Sequence, residues 1–564
     1  MKEKMSEYPK YKSPTPIPIK NRKWPDKTLT HEPRWCSVDL RDGNQALPVP
    51  MSPEKKLDYF NMLVKIGFKE IEVGFPSASK DDFDFVRELV EGGHIPDDVR
   101  ISVLTQAREH LIKKTVESLK GVKAAILHCY VATSDLHGQV VFGNNREQVK
   151  QMAVDGTHMI IDYLEKAGLR DRVAYEFSPE EFTDSDPDFV LDICKALKEI
   201  WGPSDKHDFI LNLPATVERR PPYQYADMIE YFCDNYPYLD ETSISLHAHN
   251  DQGCAVAATE MALMGGADRV EGTIFGHGER TGNLDLSILA LNLFSRGICI
   301  SLDFKNLPEI IKLVEEVSNI PVHPRHPYAG QLVFTAFSGS HQDAIRKGIE
   351  SKAKARKIFH QAWKVPYLHI DPADVGRDYE KLIRINSQSG KGGVTYVLEK
   401  EFGIYPPKAM QPELGKIMQN LADKKGNEIN SEELLGAFNS RFLDIKGPYC
   451  MNKFVRTRAD DESVSVMLTV TVNGEQFDIE GSGNGPISAT VHAIKESGKF
   501  LDFTLDDFSE QSLGHDADAT AMAFVGIRRT SDKKLIYGAG KHPNIDRAAI
   551  LAVFAAINRA DNEK

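Results

Sequence analysis

What this chain lacks narrows it first. Its seven cysteines (Cys36, Cys129, Cys194, Cys233, Cys254, Cys299, Cys450) are scattered, with no C-x-x-C pair. That spacing excludes zinc ribbons and disulfide frameworks and reads as reduced thiols in a cytoplasm. No apolar stretch approaches the ~20 residues a membrane span needs. Positive charge is in deficit, 69 Lys and Arg against 82 Asp and Glu for a net −13, which argues against nucleic-acid binding by bulk electrostatics. Residues 1–30 have no apolar h-region and are no signal peptide. Their acidic residues (Glu3, Glu7, Asp26) and scarce Arg do not fit a transit peptide, so they read as an extended arm that packs on a partner subunit.

What remains is an ordinary globular composition, 41% hydrophobic and 27% charged. At 564 residues the chain is too long for one core, and two to four domains follow from a domain size of ~100–200 residues. The first ~300 residues alternate short apolar runs with amphipathic stretches. The runs are Trp35–Leu40, Glu70–Phe75, Arg100–Leu104, Ala124–Val131, Val173–Phe177, Phe209–Leu213, Ser243–Leu246 and Arg269–Phe275. They recur every ~25–50 residues, the repeat of a (β/α)8 TIM barrel of ~250 residues. One connecting helix is explicit: Ser52 caps it, Pro53 opens it, Leu57, Phe60 and Leu63 form its stripe and Gly67 ends it.

Polar residues cluster just after these runs: Arg41-Asp42, His128, Ser178-Pro179-Glu180, Thr216, His247/His249 and Gly278-Glu279-Arg280. In a barrel all of these lie on the C-terminal face, where active sites are built. A doubly wound open sheet would spread them along a crevice instead. In Leu246-His247-Ala248-His249 the two imidazoles are at i and i+2, on the same face of a strand and roughly 6.5 Å apart. Both can reach one divalent ion, and a carboxylate from a neighbouring strand would complete a facial set with open positions for substrate. Ser178-Pro179-Glu180-Glu181 also reads as the N-cap and first turn of a helix. Lys391 among glycines is no phosphate loop, because the upstream glycine spacing and the following Ser or Thr are missing.

The last ~115 residues repeat internally. Val464, Val466, Leu468, Val470 and Val472 alternate up to Asn473-Gly474, a hairpin signal; a second strand reaches Gly481-Ser482-Gly483, and Pro486 opens a helix. The order recurs from Ala521 through Gly538-Ala539-Gly540 and Pro543 at a constant offset of ~57 residues, a supersecondary period. Two ββα units predict a pseudo-symmetric layer of sheet and helices. Each Gly-x-Gly could offer N–H groups to a carboxylate or could simply permit a tight strand-to-helix turn.

Together, Val38-Asp-Leu-Arg-Asp-Gly-Asn-Gln45, Phe177-Ser-Pro-Glu180, His247-Ala-His-Asn-Asp251 and Gly276-His-Gly-Glu-Arg-Thr-Gly-Asn283 resemble the 2-isopropylmalate synthase family in its long form. Phe337-Ser-Gly-Ser-His-Gln-Asp343, Trp363-Lys-Val-Pro-Tyr367 and Asn386-Ser-Gln-Ser-Gly-Lys-Gly-Gly393 extend the likeness over nearly all of the chain beyond residue 30. The first four motifs alone would also fit homocitrate synthases, citramalate synthases and the related retro-Claisen lyases. The resemblance implies a TIM-barrel catalytic domain over 31–330 after an arm at 1–30. Helical linker subdomains over 331–450 and a leucine-binding regulatory domain over 451–564 follow.

It implies condensation of acetyl-CoA with 2-oxoisovalerate and then thioester hydrolysis, the first committed step of leucine biosynthesis, with leucine as inhibitor. The same resemblance makes Asp42, His247 and His249 metal ligands, with the Asn283 side-chain oxygen a fourth or water-mediated one. The ion would be Mg2+, Mn2+ or Zn2+. Arg41 then faces the keto-acid carbonyl, Ser178, Thr216 and His128 touch substrate, and Glu180, His341 and Tyr367 serve acid–base chemistry. His341 follows the barrel in sequence and would reach a mouth only over a neighbouring site, that of a second subunit, so a homodimer is expected.

Overall fold

The computed structural model describes residues 13–336, 338–379, 391–425, 429–443, 445–459, 463–513 and 519–563. The Asn386–Gly393 motif therefore falls largely outside the described residues, as does Phe337. The chain divides into two compact units: residues up to Val333 with Pro372–Arg377, and Phe334–Asp371 with Asp378 onward.

The first unit is a closed barrel of eight strands in sequence order. They are β1 (Arg34–Ser37), β2 (Glu70–Gly74), β3 (Arg100–Gln106), β4 (Ala125–Ala132), β5 (Val173–Glu180), β6 (Phe209–Ala215), β7 (Ser243–Ala248) and β8 (Arg269–Gly272). All pairings are parallel, and β1 against β8 closes the ring. Each of the eight apolar runs holds one strand. The crossover helices are α1 (Pro53–Ile66), α2 (Lys80–Glu91), α3 (Glu109–Ser118), α4 (Arg146–Ala167), α5 (Pro187–Trp201), α6 (Pro222–Asn235), α7 (Ala255–Gly265) and α8 (Leu286–Ser295).

Local signals set their limits. Ser52 accepts from the Lys55 N–H and Gly67 ends α1 at φ 118°, as the sequence predicts. Phe60, Leu63 and Ile66 on α1 are buried, each contributing ~1.5–3 kcal/mol by burial. Ser178 caps no helix: it lies inside β5, and α5 starts seven residues beyond Glu180 behind Asp186, whose carboxylate accepts from the Asp188 and Phe189 N–H groups. Sheet pairing with β4 through Pro179 and Glu180 overrides the capping pattern. The first run also ends as a strand sooner than its apolar character suggests. β1 stops at Ser37, and Asp39–Gly43 forms a wide helical turn in which the Asp42 and Gly43 N–H groups donate to Val38.

The barrel interior is charged where apolar layers are the norm. Glu70, Glu72, Glu176, Arg269 and Glu271 are all buried, alternating with apolar residues that face the helices.

The second unit contains α10 (Gly339–Glu350), α11 (Lys352–Phe359), α12 (Lys391–Phe402), α13 (Gln411–Lys425) and α14 (Ser431–Phe438); α9 (Leu307–Ser318) still belongs to the first. The distal repeat has one strand more per unit than its sequence pattern shows. β9 (Tyr449–Ala459), β10 (Val464–Val472) and β11 (Glu475–Gly483) precede α15 (Pro486–Ser497). β12 (Phe503–Leu513), β13 (Thr520–Arg529) and β14 (Leu535–His542) precede α16 (Ile545–Asn562). The extra strands β9 and β12 lack clean alternation.

Each triplet forms its own antiparallel sheet. The alternating β10 buries one face, whereas the continuously apolar β13 buries both: Ala523, Val525 and Ile527 meet α16, and Met522 and Phe524 meet Leu414, Met418 and Phe438 of the helical segment. The Gly-x-Gly pairs serve this packing. A Cβ on Gly481 would strike the Ala489 carbonyl and one on Gly540 the Ala548 carbonyl, so glycine lets each helix backbone approach its sheet. α16 starts after Asn544, not at Pro543, with Asn544 accepting from the Arg547 N–H.

Candidate active site and metal centre

At the C-terminal mouth of the barrel lies a cavity of about 230 Å³. Arg41, Asp42, His128, Ser178, Glu180, Thr216, His247 and His249 all line it. Residues up to 208 positions apart in sequence thus converge, because parallel strands deliver their C-terminal ends to one ring.

Three groups form its floor. His247 ends β7, and His249 continues the extended backbone through a bridge to Asn283. Their Nε2 atoms are 3.4 Å apart. Asp42 Oδ2 lies 3.3 Å from His247 Nε2 and 3.8 Å from His249 Nε2. A divalent ion with bonds of ~2.1 Å in a tetrahedral array needs ligand atoms ~3.4 Å apart, so this triad fits one ion. His249 Nδ1 and Asn283 Oδ1 are buried without hydrogen bonds; Nδ1 is the ring nitrogen opposite the Nε2 that meets Asp42 and His247, so it bears on no ion at the triad. Asn283 differs from the expectation in its orientation. Its Nδ2 donates to Asp42 Oδ2 at 2.6 Å, so the amide steadies the carboxylate while its oxygen stays unpaired.

The electrostatics favour the ligand state at Asp42 and His249, whereas His247 is held protonated by its carboxylate partners and must give up a proton to bind an ion. Burial opposes the Asp42 charge, but Arg41 and the imidazoles hold its carboxyl far below the usual range. Burial also opposes charge on His247, yet hydrogen bonds to Asp42 and Glu271 push it up to about 9. His249 is pushed down to about 4 by burial and by His247, leaving it neutral. His247 Nδ1 lies 2.9 Å from Glu271 Oε2, the carboxylate–histidine arrangement that fixes a ligand's tautomer.

Behind the floor runs a lattice that the sequence reading missed. Glu72 takes the Arg41 Nε–H, while Arg41 Nη1 lies 2.9 Å from Asp42 Oδ1. Glu72 also holds His128 Nδ1 at 2.6 Å, and His128 Nε2 contacts Ser178 Oγ at 2.7 Å. Asn212 donates to both Ser178 Oγ, at 2.9 Å, and Glu271 Oε2, at 3.1 Å. Arg269 then binds Glu70, Glu176 and Glu271 together. The signal was present: charged residues at alternate positions of Glu70-Ile-Glu-Val and Arg269-Val-Glu share one face of a strand, and a barrel strand has no solvent face.

On the cavity wall the Glu180 carboxylate is half-buried, and burial raises its proton affinity above the usual carboxylate range, against the pull of His137 and Arg41. Thr216 lines the cavity with its Oγ1 accepting the Glu181 N–H. Leu104 and Pro214 add apolar surface. Arg280, at φ 58°, donates to Asp251 and to the Thr216 carbonyl, tying the glycine-rich loop to the loop after His249. His341 and Tyr367 lie in the second unit, where their rings stack with centroids 4.0 Å apart. Tyr367 is 64% exposed at φ 63°, so it is no core packing residue.

Residues 32–314 match the HMGL-like family, 331–399 the alpha-isopropylmalate synthase post-catalytic domain-like family, and 428–560 the LeuA allosteric (dimerisation) domain. A 2-isopropylmalate synthase of Thermobifida fusca is 48% identical over 98% of this chain and 97% of its own length. One from Clostridium acetobutylicum is 46% identical over 98% and 99%. A solved hydroxymethylglutaryl-CoA lyase from Pseudomonas aeruginosa covers 52% of the chain and 95% of its own, at 19% identity and a TM-score of 0.43, a likeness too remote to carry an activity. With end-to-end identity of this order, the chain belongs to the 2-isopropylmalate synthase family.

Proposed function

We infer that this chain joins acetyl-CoA to 2-oxoisovalerate, releases CoA by thioester hydrolysis to give 2-isopropylmalate, and is inhibited by leucine. The observation that carries the chemistry is the convergence of Asp42, His247 and His249 beside Arg41 and Glu180 in one cavity. A divalent ion on that triad would supply Lewis acidity and orientation for an α-keto acid. The donor set suits Mg2+, Mn2+ or Zn2+ alike. Arg41, fixed by Glu72 and Asp42, presents positive charge where oxygen charge develops on the ketone. Glu180, with its raised proton affinity, takes a proton from the acetyl methyl group. His128, Ser178 and Thr216 orient the keto acid.

We assign His341 and Tyr367 to the acid–base machinery as contributions from a second copy of the chain in a cytoplasmic homodimer. Their mutual stacking keeps the pair as one unit.

The cavity favours an apolar keto-acid side chain. Leu104 and Pro214 line it, and its two arginines are already paired, Arg41 with Glu72 and Asp42 and Arg280 with Asp251. A dicarboxylic keto acid, as in homocitrate synthesis, would need a free cation there.

Thiol release across a panel of keto acids tests the assignment. Release should require acetyl-CoA, 2-oxoisovalerate and a divalent ion together, and should fall with leucine. Faster turnover of 2-oxoglutarate or pyruvate than of 2-oxoisovalerate would overturn the substrate assignment.

A further inference from the structure

Glu180 is the last residue of β5, and Glu181 leaves the strand at φ 58°, ψ 35°. A non-glycine residue is strained in this left-handed region and persists there only where its surroundings over-determine it. Here every group around the Glu180–Glu181 peptide is tied. The Glu180 carbonyl accepts from Thr133 N at 3.0 Å and Thr133 Oγ1 at 3.2 Å. The Glu181 N–H donates to Thr216 Oγ1 at 2.9 Å, and its carbonyl accepts from Ser185 Oγ at 2.8 Å and Asp184 N at 2.9 Å. The Glu181 side chain, 6% exposed, takes the Ser134 hydroxyl through its carboxylate, which lies 2.6 Å from His137 Nδ1. These partners come from the loops after β4, β5 and β6. Glu180 lines the cavity and Glu181 does not, so Glu181 acts through its neighbour.

We propose that Glu181 is a positioning residue for Glu180, its clamped left-handed turn ending β5 so that the Glu180 carboxylate is held towards the cavity. This rests on the reading of Glu180 as the proton acceptor. A second effect follows from charge. The groups that face Glu180 are Glu181, His137, Arg41 and Tyr130, and Glu181 is the one anion among them that favours its protonated form.

Three variants of the full chain separate these effects. Glu181→Ala keeps the strained backbone and loses the clamp, Glu181→Gly loses the clamp and the strain, and Glu181→Gln keeps the shape and loses the charge. The Ala variant should lower kcat on the order of 10–100-fold. Its KM for the keto acid and its divalent-ion affinity should stay within about 3-fold of wild type. The Gly variant should recover at least about 5-fold of that loss. The Gln variant should move the acid limb of kcat/KM to lower pH. Wild-type kcat in the Ala variant overturns the proposal. Equal losses in Ala and Gly with a parallel fall in ion affinity do the same, and an unmoved acid limb in Gln overturns the charge effect. The crystal structure of the Ala variant separates this idea from the role of Glu180 itself. A displaced Glu180 carboxylate supports positioning even if Glu180→Gln leaves turnover intact, and an unmoved one refutes it.

Discussion

Arg269→Met tests whether the charged barrel interior both stabilises the fold and supports the metal site. The guanidinium is fully buried, 2.6 Å from Glu70 Oε2, 3.0 Å from Glu176 Oε1, 2.7 Å from Glu271 Oε1 and 2.8 Å from Ser245 Oγ. At an effective dielectric of 20, one such pair at ~3 Å has a gross attraction of roughly 5–6 kcal/mol, largely offset by desolvation. Arg269 is the cation that all three carboxylates share; Glu70 keeps Arg34 and Glu271 keeps His247, but Glu176 loses its guanidinium, and breaking a buried pair of this kind costs ~3–5 kcal/mol. At ~2–4 °C per kcal/mol, the barrel's thermal transition should fall by about 6–20 °C, followed by circular dichroism.

The deficit should depend on pH. In the variant the stranded Glu176 carboxylate has a folded pKa above its unfolded ~4.3, so the penalty is absent below that value and grows as pH rises towards the folded value. The gap to wild type should therefore narrow at about pH 5 and widen at pH 8. Because Glu271 also holds His247 Nδ1, divalent-ion affinity measured by calorimetry should weaken about 10–100-fold. A transition within 2 °C of wild type at every pH, together with unchanged ion affinity, would show that the lattice contributes neither stability nor support (threshold ~2 °C, under 1 kcal/mol).

The site itself yields three more expectations. Asp42→Ala or His249→Ala should weaken divalent-ion binding at least about 100-fold while leaving the fold intact, and ion binding surviving in both variants would refute the centre. Glu180→Gln should lower kcat by ~10²–10⁴ with little change in keto-acid binding. In the parent enzyme the activity that depends on ionised Glu180 should be lost as pH falls through a value above the ordinary carboxylate range, because burial raises that group; a pH–rate profile shows whether the limb disappears in the variant. Gly282→Ala should be more damaging than a surface substitution. Its φ is +97° and the new methyl would strike the Gly276 carbonyl, so the loop carrying Asn283 must move, and calorimetry should register a loss of ion affinity.

The eight barrel strands were legible because short, largely apolar runs recur at the spacing of a barrel, although β2 and β8 carry charged residues at alternate positions. The α1 boundaries were legible because Ser52, Pro53 and Gly67 act locally. The pairing of His247 with His249 was legible because i and i+2 on an extended backbone share a face, whereas Asp42 entered only through the resemblance. Two local readings failed where neighbours intervened: the cap pattern at Ser178 gave way to pairing with β4, and β1 ended early in the turn that carries Asp42. The strands β9 and β12 were hidden because β12 buries little beyond Phe503 and β9 carries breaks in its register against β10.

The sequence by itself therefore determined the barrel, the existence of a distal repeat and the residue types that meet at the barrel mouth, since each of these is written in periodicity or in short-range chemistry. Only the tertiary structure decided that Glu72, Glu176, Arg269 and Glu271 form one buried lattice, that Asn283 turns its nitrogen to Asp42, and that Glu181 is pinned beside Glu180. Those contacts join residues far apart in the chain, and their free energies depend on burial and on the partners met there, quantities that no local pattern encodes.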